Sequence, residues 1–416
     1  MDDGADLQPW TRAMLADSVL GPYVANYRKR LIEQRYAANT QRVYLCCVSH
    51  FASWLKATQI GLNGVNGEAG ERFIAEHLPQ CNCRPPVRRV PHEIKAALSH
   101  LYDVLRCSGV VAAPSRSADP IQAELISFDH YMDATCGLAV STRHQRAQIL
   151  DRFLTSRFGS APIAATAITA ADLRQFVLGG QAAYSPGTVN VMAGALRCYL
   201  RFRALAGDPV GNLGAAISKP AQWRLSTLPD VLSDAEIEQL LASFGGQLPS
   251  PRRAYAMVRC LVDLGLRASE VIHLRLDDID WHAGTLRLTK EKSRRDDVLP
   301  LPAETGRAIA DYLRTERPPT ANRAVFVRHV APFDEPIGRR VVQTAVNEAY
   351  RRCGWTRTGV HILRHSVASR LLRKGTPLKE IADILRHRSL DTTAIYVKVD
   401  TGRLSAVALP WPGRAS

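Results

Sequence analysis

The feature that most constrains this chain is an ordered set of side chains near its end: His361, Arg364, His387 and Tyr396, with Arg267 upstream. Each sits beside a helix signal. Tyr255 to Leu264 carries apolar residues at helical spacing, Gly265 can end that helix in a left-handed conformation, and Ser269 and Glu270 look like the start of the next. Arg267 then lies near a helix N-terminus, where backbone N–H groups favour an anion. A helix over His361 to Lys374 puts His361 and Arg364 on one face and turns Leu363, Val367 and Leu371 elsewhere. His365, next to Arg364, is placed on a different face and left out of the set. Gly375 ends this helix, and Thr376 can cap another with Pro377 in its first turn and Ile381, Ile384 and Leu385 as its buried stripe. His387 follows, and Asp391 with Thr392 can open a short helix carrying Tyr396.

The chemistry explains why these residue types should occur together. A phosphodiester is an anion, so a phenol attacks it only if cationic donors bind the non-bridging oxygens and stabilise the charge that grows in the transition state. Arginine suits this role, because its planar guanidinium stays charged and donates two parallel hydrogen bonds. Two arginines and two histidines around one tyrosine form a metal-free phosphoryl-transfer site. Taken singly, each has an ordinary reading: a structural histidine, a packed aromatic, a surface charge. Their joint occurrence in this order favours the catalytic one.

The segments Gly265-Leu-Arg-Ala-Ser-Glu270, His361-Ile-Leu-Arg-His365, Leu385-Arg-His387 and Thr392-Thr-Ala-Ile-Tyr396 resemble the signature boxes of the tyrosine recombinase (phage integrase) family, including its Xer-type enzymes. The likeness is strong over Leu228 to Asp400 and weak upstream. It implies that Arg267 and Arg364 bind the scissile phosphate of DNA, that His361 and His387 assist, that Tyr396 forms a 3′-phosphotyrosyl bond, and that Glu270 supports the first arginine. Arg386 stands where the family usually has glycine, which alters the turn but leaves His387 in place. Arg386 and Arg388 read equally as substrate contacts or as parts of a solvated loop.

The family also uses a lysine on a β-hairpin to protonate the leaving 5′ oxygen. Thr285 to Thr289 alternates polar and apolar, and Val298 to Leu301 reads as its partner strand. Lys290 and Lys292 both fall on the connection and share a face in extended chain. Counting back from Pro300, the family's spacing favours Lys292.

Composition agrees with a polyanionic partner. Lys plus Arg number 54 against 39 Asp plus Glu, a formal charge of +15, which attracts polyphosphate through counterion release. A chain of 416 residues, 46% hydrophobic, suggests two or three domains with real cores. There is no apolar stretch of about 18 residues and no charged-then-apolar leader, so a cytoplasmic location without membrane contact is expected.

The nine cysteines are scattered and read as reduced thiols. Cys81-Asn-Cys83, with Cys46 and Cys47 upstream and His92 downstream, matches no common zinc spacing. No metal is expected, and no nucleotide or other cofactor.

The first half contains an apparent repeat. Thr40, Tyr44, Phe51 and Leu55 parallel Thr142, Arg146, Phe153 and Arg157, each threonine a candidate helix cap with an aromatic eleven residues later. Phe73-Ile74 parallels Phe176-Val177, and Leu98 to Gly109 parallels Leu196 to Gly207. Basic residues near the helix starts, among them Arg42 in the first unit and Arg143, Arg146, Arg197 and Arg201 in the second, are candidate DNA-backbone contacts, which set position without reading sequence.

The expected architecture is mainly α with a small antiparallel sheet. A helical domain over 1–115, a possible duplicate of the next, precedes a helical core-binding (DNA clamp) domain over 116–222 and a mixed α/β catalytic domain over 223–416. The resemblance implies an enzyme that recombines specific double-stranded DNA sites as a homotetramer, possibly with related recombinases, and points toward a mobile element. A type IB topoisomerase-like enzyme and a non-catalytic architectural DNA-binding partner are the alternatives.

Overall fold

The computed structural model describes residues 7–83, 87–111, 120–159, 161–178, 184–217, 229–245, 249–288, 297–387, 389 and 393–396. The chain forms two compact units, one made of residues 1–59, 73–104 and 227–416 and the other of 60–72 and 105–226. The fold is mainly helical with one small antiparallel sheet, as the sequence leads one to expect.

The N-terminal helices are α1 (Pro9–Ala16), α2 (Val24–Glu33), α3 (Ala38–Ala57), α4 (Gly67–Arg72) and α5 (Pro91–Cys107), with a π-helical turn at Phe73–His77. Next come α6 (Pro120–Ala134), α7 (Val140–Phe158), α8 (Ala170–Leu178) and α9 (Pro186–Leu205). These four pack around Phe128, Leu150, Phe153, Leu196 and Tyr199, all of them buried. Ser185 caps α9 by accepting from the Thr188 N–H at 3.2 Å, and Pro186 fills the first helical position, where its missing N–H does no harm.

The suspected repeat has geometric counterparts. Phe51 meets Phe73 edge-to-face at 5.3 Å, and Phe153 meets Phe176 in the same way at 5.3 Å. Gly109 and Gly207, just past α5 and α9, both take positive φ, +69° and +100°. The threonines do not cap, however. Ala37 and Ala139 occupy the N-cap positions, so Thr40 and Thr142 fall at the same place inside the first turn of α3 and α7.

The C-terminal part contains α10 (Asp234–Ala242), α11 (Pro251–Asp263), α12 (Ala268–His273), β1 (Ile279–Asp280), β2 (Thr285–Leu288), β3 (Asp297–Pro300), α13 (Ala303–Thr315), α14 (Arg339–Arg352), α15 (His361–Arg373) and α16 (Leu378–Ile384). Helix α11 lies at the centre, packed against α13, α14 and α15. It buries Met257, Val258, Leu261 and Val262, each removal of such a side chain from water being worth roughly 1.5–3 kcal/mol. Strand β2 pairs with β1 and β3, with Leu286 opposite Leu299. Leu286, Leu288 and Leu299 face the core while Val298 is exposed, the alternation that a sheet with one wet face requires.

Several local readings are corrected. Pro377, not Thr376, precedes α16 as its N-cap. Ile384 is exposed and Ala382 takes its place beside Ile381 and Leu385, because the buried stripe follows the 3.6-residue turn through 381, 382 and 385. The cysteines are not all solitary thiols: Cys81 and Cys83 converge on His50 and His77, while Cys46, Cys47 and His92 lie outside that group. Among the described residues, no helix is long and apolar enough to cross a membrane.

Candidate active site

Helix α11 stops at Gly265, whose φ of +58° suits glycine, and a Cβ there would come within 2.7 Å of Leu385 Cδ2. The chain then runs through Arg267, which is extended and forms the N-cap of α12. Glu270, one turn on, folds back to accept from the Arg267 N–H at 2.7 Å and from Arg267 Nη1 at 2.8 Å. A single carboxylate thus satisfies an otherwise unpaired N-terminal N–H and aims the guanidinium.

Helix α15 supplies the next groups. It is anchored through a side chain, Ser366 Oγ accepting from the Leu232 N–H at 2.8 Å. Arg364 is buried, and its guanidinium donates to the carbonyls of Gly265 and Leu385. Arg267 Nη2 donates to the adjacent carbonyl, that of Arg386, at 3.0 Å. The two arginines therefore clasp consecutive carbonyls of the turn after α16, and that turn delivers His387. Burial, then the charges of Arg267 and Arg386, bring the Arg364 pKa down to about 10, which leaves it cationic at neutral pH.

Arg386 is the residue that sequence reasoning left undecided. It is buried, adopts φ +54°, and pairs through Nη2 with Glu270 Oε2 at 2.8 Å. The left-handed turn that glycine usually makes is kept, and the side chain becomes a second cation on Glu270. Among the described residues the charges in this cluster are three guanidiniums, Arg267, Arg364 and Arg386, against one carboxylate, whose own pKa is held down by Arg386 and Arg267 although burial opposes this. The excess positive charge is what a bound phosphate would neutralise.

Tyr396 lies against these groups at 1% exposure. Its hydroxyl is 2.8 Å from Nδ1 of His365, and its ring stacks 6.3 Å from that of His387. His387 Nδ1 is in turn 2.7 Å from the hydroxyl of buried Thr393. Burial pushes the phenol up to about 12, with Arg364 pulling the other way. Desolvation first, then neighbouring positive groups, bring His365 and His387 down to about 4, so both imidazoles are neutral at pH 7 and each has a nitrogen free to accept a hydrogen bond. His361 is more open to solvent; partial desolvation, then Arg339, Arg364 and Arg267, lower its pKa.

Sequence reasoning leaves His365 out by placing it on a different helical face from Arg364, and the structure corrects this. The signal was present, since His361, Arg364 and His365 stand at i, i+3 and i+4 and share one helical face; the rings of His361 and His365 are 6.4 Å apart. Thr393 carried no signal at all, because a threonine partner for a histidine has no fixed spacing. Lys290 and Lys292 lie outside the described residues, as do Arg388, Asp391 and Thr392.

The profile of the phage integrase family matches residues 230–403. The integrase/recombinase y4rA of Sinorhizobium fredii is 34% identical over 94% of this chain and 95% of its own length. The chain belongs to the phage integrase family. The chain is also 29% identical to the tyrosine recombinase XerA of Pyrococcus furiosus, over 67% of this chain and 91% of that one. Its fold resembles that of the XerH site-specific recombinase, solved bound to a palindromic difH substrate after cleavage, with a TM-score of 0.55, 20% identity, and coverage of 71% of this chain and 97% of that one. The chain is thus a tyrosine recombinase by family, a reading these comparisons favour over a topoisomerase or an architectural protein.

Of the basic residues singled out upstream, Arg143, Arg146, Arg197 and Arg201 all find partners within their own bundle, Arg201 Nε donating to the Arg197 carbonyl at 3.4 Å and Arg146 meeting the Cys198 thiol. Arg143 pairs with Asp133 at 2.7 Å and lies 3.6 Å from Asp129, and Arg197 donates to the carbonyls of Gly214 and Ile217 at 3.2 and 2.5 Å. Arg42 and Arg201 are exposed and Arg146 half-buried.

Proposed function

We propose that Tyr396 attacks a DNA phosphate, with Arg267 and Arg364 holding its non-bridging oxygens. The P–O5′ bond breaks, the phenolic oxygen takes the 3′ phosphate, and the 5′ oxygen leaves with a proton from a hairpin lysine, Lys292 in preference to Lys290. The observation that carries this reading is the Tyr396 hydroxyl at 2.8 Å from neutral His365, beside an arginine cluster with uncompensated positive charge. A phenol pushed up to about 12 is protonated at neutral pH, so the nucleophile needs an acceptor and His365 is in position to be one. Glu270 orients Arg267, Arg386 holds Glu270, and His361 and His387 assist at the phosphate.

The partner is double-stranded DNA carrying a specific recombination site, met in the cytoplasm. Exchange between two duplexes requires four cleavages, which a homotetramer on DNA supplies. Full-length likeness to an integrase/recombinase supports a role in moving a mobile element. The proposed division is a catalytic domain over 223–416 preceded by two related helical units, with the exposed Arg42 and Arg201 more available to the DNA backbone than Arg143, Arg146 and Arg197.

The test is a denaturing gel with nicked duplexes drawn from the DNA flanking the gene. Wild type should yield a protein–DNA band that resists denaturant, and Tyr396→Phe should bind the same duplex yet yield none. The same band from Tyr396→Phe overturns the assignment of the nucleophile.

A further inference from the structure

Far from the arginines in sequence, four side chains of metal-binding type meet in the N-terminal region. His50 from α3, His77 from the π-helical turn, and Cys81 and Cys83 from the segment after it bring one ligand atom each to within 4.8 Å of one another. The two Nε2 atoms are 3.2 Å apart, Cys81 Sγ is 3.3 Å from His50 Nε2, and Cys83 Sγ is 3.5 Å from His77 Nε2. A tetrahedron with Zn–N of about 2.05 Å and Zn–S of about 2.3 Å has N···N and N···S edges of about 3.3 and 3.6 Å. The observed separations are close to these edges.

Hydrogen bonding alone does not explain the convergence. His50 is fully buried and its Nδ1 lies 2.8 Å from the Arg88 carbonyl, which can only accept, so Nδ1 carries the hydrogen. With Nδ1 committed to that carbonyl, the neutral ring presents Nε2 to the cluster as its one acceptor. Two potential donors, His77 Nε2 and Cys81 Sγ, compete for that single acceptor. An imidazole tied through one nitrogen to a backbone carbonyl, with the other nitrogen facing thiols, is the arrangement a metal-binding histidine takes. The surroundings fit as well. Phe73 stacks on His77 at 5.2 Å and meets His50 edge-on at 5.0 Å, giving an apolar wall, and Arg89 donates to the Cys83 carbonyl at 2.8 Å, placing a cation that favours thiolate. The π-helical turn that ends at His77 is a rare backbone form found at functional positions.

We propose that His50, His77, Cys81 and Cys83 bind one zinc ion through His50 Nε2, His77 Nε2 and the two sulfurs. The set of two nitrogens and two sulfurs suits zinc, and four protein ligands leave no open position, so the site is structural. Binding releases the two thiol protons and gives a neutral centre, Zn²⁺ with two thiolates. The ion ties α3 to the π-helical turn and, through the Arg88 carbonyl and the Arg88–Glu93 pair at 2.7 Å, to the first turn of α5. It takes no part in phosphoryl transfer and does not rest on the function proposed above.

The experiment is elemental analysis of the untagged full-length protein purified without chelator, followed by reconstitution of the stripped protein with ZnCl₂ or CoCl₂. About one zinc per chain is expected, as for a closed four-ligand site. Cobalt should give a thiolate-to-metal charge-transfer band with the visible d–d bands of tetrahedral geometry. Stripping should lower the melting temperature, since the ion binds only the folded site. Cys81→Ser/Cys83→Ser should hold no zinc and lose the cobalt charge-transfer band. Wild type that contains no zinc and gains none from ZnCl₂ overturns the proposal without reliance on any variant. So does zinc retained in full by the double variant, or a Cys81–Cys83 disulfide in the freshly purified protein.

Discussion

Arg386 and Glu270 form a salt bridge of 2.8 Å in which the arginine side chain is almost wholly buried, at a turn position with φ +54°. Glu270 also holds Arg267 at 2.8 Å, so one carboxylate is shared between a proposed catalytic arginine and a structural one. The residue that departs from the family pattern is therefore part of the support for the site.

Two opposing effects decide the outcome of Arg386→Gly. Glycine relieves a left-handed conformation worth roughly 1–2 kcal/mol. Removing one partner of a buried pair costs roughly 3–5 kcal/mol, less here because Glu270 keeps Arg267 and its N–H. The pair should win, so the variant should lose about 1–3 kcal/mol in urea unfolding and cleave DNA more slowly. A gain in stability would show that backbone strain dominates.

His365→Ala should leave DNA affinity unchanged while slowing covalent-complex formation, because the buried Tyr396 hydroxyl loses its acceptor. A buried polar group left unpaired costs about 1–3 kcal/mol, and unfolding should report a loss in that range. His365→Asn, which can place an oxygen near the Nδ1 position to accept a hydrogen bond but not a proton, should recover stability without restoring the rate. Equal rates for wild type and His365→Ala would remove His365 from the reaction.

The leaving-group acid can be identified with a substrate whose scissile 5′ oxygen is replaced by sulfur. Lys292→Ala should cleave ordinary DNA poorly and recover on the sulfur substrate, since a thiolate leaves without a proton. Lys290→Ala should be near wild type on both. Recovery by Lys290→Ala instead transfers the role to that residue.

Stability should fall with pH on the acid side of neutrality. His365 and His387 titrate near 4 in the fold and near about 6.5 when unfolded. Between those values the unfolded chain binds more protons, so stability is complete above about pH 6.5 and is lost progressively as pH falls toward 4. Urea midpoints at pH 7 and pH 5 measure this, and His365→Asn should flatten the difference. A higher midpoint at pH 5 in the wild type would contradict it.

Residue order, local periodicity and the likeness of four short segments to the tyrosine recombinases were enough for the family reading, because the arginines, histidines and tyrosine stand beside short-range helix signals: Gly265 before Arg267, His361 and Arg364 one turn apart, Gly375 before the next helix. The small hairpin was legible in the alternation around Leu286 and Leu299. What only the tertiary structure decided are relations across long stretches of chain that periodicity does not encode. Arg386 could be read as a loop charge until Glu270, 116 residues earlier, was seen to receive it. His365 could be dismissed until the turn bearing Tyr396 was brought against it, 31 residues on. The cysteines were weighed against the wrong companions, Cys46, Cys47 and His92, because a metal site depends on where ligand atoms converge in space. His50, 31 residues before Cys81, enters that cluster only once α3 is packed beside the π-helical turn.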